Sequence, residues 1–142
     1  GIEHDFKLPP LPHLDPKRRA ELAAQAKASA AERAEKARAR LVEQLLDLLE
    51  AKGDERAALA PLLAAVLQQR EELLQQRRAA RRSLLKAARE REDLKAAAPE
   101  LVREHRAQRA RGEAALAKAR DALREVLTLR QEAQLVARGL LE

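Results

Sequence analysis

The sequence predicts an all-α chain: an elongated antiparallel hairpin of long helices, or a three-helix array, with a short C-terminal helix. Three observations predict it. Hydrophobic residues make up 46% of the chain, yet Phe6 is the one aromatic, and Ala and Leu supply nearly all the rest. Sheets and sandwiches need aromatic and β-branched side chains, so an all-β fold is excluded. Four Gly and six Pro in 142 residues are too few for a loop-rich fold, and 37% charged residues suit long solvated helices.

Residues 1–14, GIEHDFKLPPLPHL, read as an extended N-terminal arm with polyproline II character. Residues 15–142 read as one helical domain. Asp15 followed by Pro16 is a helix start, an N-cap with proline at the first helical position. The first helix is expected over about 16–52. Up to Arg40 its only large apolar residue is Leu22, so this half has high helix propensity but little area to bury. From Leu41 a stripe appears at 41, 45, 48 and 49, widened by Val42 and Leu46. Gly53-Asp54 ends that helix and starts the next.

The second helix is expected over about 55–95, with Pro61 giving a kink or a late start near Ala60. Its apolar side runs nearly in heptads through Leu59, Leu63, Val66, Leu73, Ala80, Leu84 and Ala87. Ala96-Ala97-Ala98-Pro99 marks the next break, and the third helix is expected over about 99–127. Gly112 inside it costs about 1 kcal/mol against Ala. A close approach by another helix accounts for it, and so does a tolerated surface glycine. Helices of this length span about 50–60 Å. The Ala-rich first helix lacks the area to order itself alone, so a homodimer is expected.

Residues 127–135 read LTLRQEAQL. Thr128 with Gln131 three places on is the capping-box spacing, in which the hydroxyl takes the N3 amide and the Gln side chain reaches back to the cap. It marks a helix restart and a final helix over about 129–141. The run resembles the L-T-x-x-Q signature, with a Leu four places further, of the Spy/CpxP family, the LTXXQ-motif periplasmic proteins, which include a heavy-metal-sensor and resistance branch. Leu127, Thr128, Gln131 and Leu135 match it. A degraded second copy lies at Leu14–Leu22, with Asp15 in place of Thr and Arg18 in place of Gln. The resemblance implies a helical, exported, dimeric, ATP-independent chaperone or envelope-stress accessory that holds unfolded clients. For these four residues it implies a structural role.

The chemistry is sparse. With no Cys, disulfides, zinc fingers and thiol nucleophiles are excluded. There is no Gly-rich phosphate loop or nucleophile elbow, and Ser29 and Ser83 sit mid-helix, so no enzyme, catalytic residue or cofactor is expected. His4 and His13 fall in the arm and His105 stands alone, read as a packed or surface imidazole, so no metal site is expected either. No stretch approaches the roughly 20 apolar residues of a membrane span. The chain contains no Met at all, which reads as processing or trimming and fits a removed export signal.

The net charge is +6, and 21 of the 29 basic residues are Arg. Arg70, Arg77, Arg78, Arg81 and Arg82 crowd the middle of the second helix; Arg106 and Arg109 crowd the start of the third. One reading is a solvated helix face. The other is a positive groove beside Leu73, Leu74, Leu84 and Leu85 that draws in acidic or unfolded protein segments and then holds their apolar parts. Alternatives are a structural coiled-coil segment of a cytosolic assembly, and a nucleic-acid binder. The last is disfavoured because stacking aromatics and base-reading motifs are missing.

Overall fold

The structure, a computed structural model, describes residues 15–90 and 94–142, with side chains for 15–89 and 98–142. The expected N-terminal arm, with His4 and His13, lies outside the described residues. The described residues form four helices: α1 (Pro16–Leu48), α2 (Gly53–Glu90), α3 (Leu94–Arg124) and α4 (Leu129–Ala137). No strand occurs among them. The expected fold class, three long helices and a short C-terminal one, is the one observed. None of the helices is long and apolar enough to cross a membrane.

The chain divides into two compact units, Gly1–Ala37 and Arg38–Glu142. In the first, the Asp15 carboxylate accepts from the Arg18 backbone N–H at 2.6 Å and caps α1. Every described side chain from Asp15 to Ala37 is exposed.

The second unit holds the core. Val42, Leu45, Leu46 and Leu49 meet Leu59, Leu63, Val66 and Leu67 of α2, with Leu116 and Leu123 of α3, Leu135 of α4, and Leu140 and Leu141 beyond it. The first part of the heptad-like stripe of α2, from Leu59 to Leu73, is therefore buried, and its later members Ala80, Leu84 and Ala87 are half-buried. Past Leu73, no hydrophobic side chain of α2 is fully buried among the described residues. α2 and α3 run antiparallel; Gly112 sits over Leu73, and Arg77 reaches Glu113 at 3.5 Å.

Several helix ends differ from expectation. α1 stops at Leu48, short of Lys52, because the chain closes a Schellman turn: Ala51 N–H bonds to the Leu46 carbonyl at 3.0 Å and Glu50 N–H to Asp47 at 3.1 Å. Glu50 holds the left-handed position, at φ 56°. α4 stops at Ala137, short of Leu141, for the same reason: Leu140 N–H bonds to Leu135 and Gly139 N–H to Val136, with Gly139 at φ 75°. α2 begins at Gly53 and passes unbroken through Pro61. Leu59 and Leu63, both wholly buried, hold that stretch in place despite the missing amide donor. α3 begins at Leu94 and contains Pro99, so the break between α2 and α3 precedes the Ala96–Pro99 run. Three alanines are the strongest helix formers, and a proline so near the helix start removes a single bond.

Candidate functional site: a basic cleft between α2 and α3

The LTxxQ run is a joint. Gln131 N–H bonds to Thr128 Oγ1 at 3.2 Å, and Thr128 N–H bonds to Gln131 Oε1 at 3.0 Å, so both halves of the capping box are made. The amide nitrogen of Gln131 goes further. It donates to the Leu49 carbonyl at 3.2 Å and to Glu55 Oε1 at 2.7 Å. One buried side chain thus fastens the start of α4 to the end of α1 and the start of α2. Leu135, wholly buried, is the apolar part of the motif, while Leu127 packs half-buried against the core. In the N-terminal echo, Asp15 caps Arg18, but an Arg side chain has no acceptor to return the bond, so the box is half made.

Several charges around the core are paired. Arg56 bonds to both Glu43 and Asp47, and these carboxylates raise its pKa above the ordinary arginine value. Arg38 reaches Glu71 at 2.9 Å. Arg124 contacts Asp121, Glu132 and Glu142 and donates to the Leu141 carbonyl at 2.7 Å. Arg120 donates to the Leu140 carbonyl at 3.1 Å; burial, then the nearby charges of Arg70 and Arg124, push its pKa down.

The expected client-binding residues divide. Beyond the core, α2 and α3 enclose a cleft of about 570 Å³ that brings together Leu73, Leu74, Arg77, Arg78, Arg81 and Leu84 of α2 with Arg106 and Arg109 of α3. Leu73 is nearly buried and forms its inner end, and Leu74 is 48% exposed. Arg70 lies outside it, in a neighbouring groove with Leu41, Leu67 and Arg120. Arg82 and Leu85 do not line the cleft, and Leu85 is 52% exposed.

Val102, His105, Gln76 and Gln108 also line it and were not among the expected residues. Val102 carried a legible signal, being one helical turn from Arg106. His105 and Gln76 did not, since their placement depends on how α3 is registered against α2. Both ring nitrogens of His105 and the Oε1 of Gln76 are buried without a hydrogen-bond partner among the described residues. Each such group costs about 1–3 kcal/mol. Gly112 meets the same place: a Cβ there would lie 2.9 Å from Leu73 Cδ1 and 3.0 Å from Gln76 Oε1. Close approach is therefore the reason for this glycine.

The charges at the cleft are unbalanced. Arg77 and Arg109 share Glu113, at 3.5 and 3.0 Å. Arg78, Arg81 and Arg106 have no carboxylate within ion-pair distance among the described residues, and no Asp or Glu lines the cleft there. No group of three or more His, Asp or Glu side chains that could hold a metal occurs among the described residues. The arrangement offers binding chemistry: guanidinium forks over an aliphatic wall. No protein-family model, curated protein or solved structure matches this chain.

Proposed function

We propose that the chain is an ATP-independent holding chaperone, a Spy/CpxP-like envelope-stress or metal-stress accessory of the periplasm, that binds unfolded, acidic protein segments along the basic face of α2 and α3. The observation that carries this reading is the meeting, in one cleft, of arginines without a carboxylate partner among the described residues and leucine side chains open to it. Arg78, Arg81 and Arg106 attract acidic chains over a distance set by salt. Leu74 and Leu84 then hold apolar parts of the same segment. The capping box at Thr128 and Gln131 supports the likeness to the LTXXQ-motif proteins.

The test is suppression of client aggregation, followed by light scattering without nucleotide. Suppression by a stoichiometric amount of chain, weakened by added salt, is expected. Unchanged aggregation of several clients at excess chain would overturn the reading.

A second copy of the chain completes this proposal. Every described side chain from Asp15 to Ala37 is exposed, including Leu22 at 39%. Such a long Ala-rich helix draws its stability from packing on a partner. A dimer mass by light scattering at micromolar concentration is expected. A monomer mass would contradict it.

A further inference from the structure

We infer that the α2–α3 cleft binds one small anionic amphiphile, a free carboxylate on a single aliphatic chain. This goes beyond the holding of protein clients and does not require it. Size comes first: about 570 Å³ falls within the roughly 300–1,000 Å³ of sites that take small organic ligands. The apolar wall is aliphatic, made by Leu73, Leu74, Leu84 and Val102, with no Phe, Tyr or Trp. A flexible alkyl chain fits such a wall.

The rim selects the head group. Glu113 occupies Arg77 and Arg109, whereas Arg78, Arg81 and Arg106 lack a carboxylate partner among the described residues. A guanidinium fork matches a carboxylate with two parallel bonds, and it repels a cationic head group outright. Gln76 and His105 also line the cleft, and Gln76 Oε1 and the two ring nitrogens of His105 have no hydrogen-bond partner among the described residues. A site with three cations that lack a carboxylate partner among the described residues, beside an aliphatic wall, is complementary to a ligand that is apolar along its body and anionic at one end.

The experiment titrates the full chain by calorimetry with dodecanoate, dodecanol, dodecylammonium and acetate, all below micelle-forming concentration and at low salt. Expected is one dodecanoate per chain, bound at least about tenfold tighter than dodecanol, with no binding of dodecylammonium or acetate. The double variant R81Q/R106Q should weaken dodecanoate at least about tenfold while leaving dodecanol unchanged. R33Q/R40Q removes the same charge from exposed positions of α1 and should change nothing. Helical circular dichroism confirms that each variant folds.

Equal affinity for dodecanoate and dodecanol, several ligands per chain, or equal losses in both double variants would overturn the inference. So would binding of an acidic, leucine-containing peptide at this cleft with none of dodecanoate, which would assign the cleft to protein segments alone. The client-aggregation assay is scored separately. Dodecanoate binding without aggregation suppression leaves this inference standing and removes the chaperone reading, and the reverse result does the opposite.

Discussion

Gln131 is the residue on which most of the joint depends. Its side chain satisfies Thr128 N–H, the Leu49 carbonyl and Glu55 at once, from a position only 7% exposed. Thr128→Ala removes one cap bond and should cost about 1 kcal/mol in urea unfolding. Gln131→Ala should cost more, about 2–3 kcal/mol, because a buried carbonyl loses its donor. Gln131→Glu should be worse still at neutral pH, since it sets an acceptor and a like charge against Glu55. If Gln131→Ala costs no more than Thr128→Ala, the bridging bonds contribute nothing. The spacing of Thr128 and Gln131 made the cap legible in the sequence. The bonds to Leu49 and Glu55 were not legible, because those partners stand 82 and 76 residues away and only tertiary packing brings them near.

At the scale of elements, local composition decided the helices, and local turns set the ends of α1 and α4. The stripe of α2 was readable, and its members from Leu59 to Leu73 are buried. The stop of α1 was not, because Glu50 takes a left-handed position that glycine ordinarily fills. Glu50→Gly should therefore raise stability by about 1 kcal/mol, seen as a higher denaturation midpoint with an unchanged slope. A lower midpoint would mean that the Glu50 side chain outweighs its backbone strain. Pro61 lies exposed within α2. Pro61→Ala restores one helical bond and should stabilise by about 1–3 kcal/mol. A loss of stability would show that α2 needs the proline at that turn. Leu123, wholly buried, joins the cluster that holds α4. Leu123→Ala should cost about 2–5 kcal/mol, and a cost below 1 would place it outside the core.

On the scale of the whole molecule, a net charge of +6 permits acidic partners without saying where they would bind. The proposed place is the α2–α3 cleft. Around the core Arg38, Arg56, Arg120 and Arg124 find carboxylates or carbonyls. At the cleft Arg78, Arg81 and Arg106 have no carboxylate partner among the described residues. The two arginine runs were visible in the sequence. Their meeting with His105 was not, since it is set by the register of two helices and fixed in part by the close approach of Gly112 to Leu73. Binding there should weaken as salt shortens the screening length, to about 10 Å at 0.1 M.

The most direct measurement places a photo-crosslinker in the cleft. The sequence contains no cysteine, so Ala80→Cys carries a benzophenone label as the single thiol. Ala31→Cys, on the exposed stretch of α1, is the control. Illumination with an unfolded acidic client should give adducts from position 80 at low salt, fewer at high salt, and few from position 31. Equal adducts from both positions, or none from position 80 while aggregation is still suppressed, would contradict the assignment of client binding to this cleft.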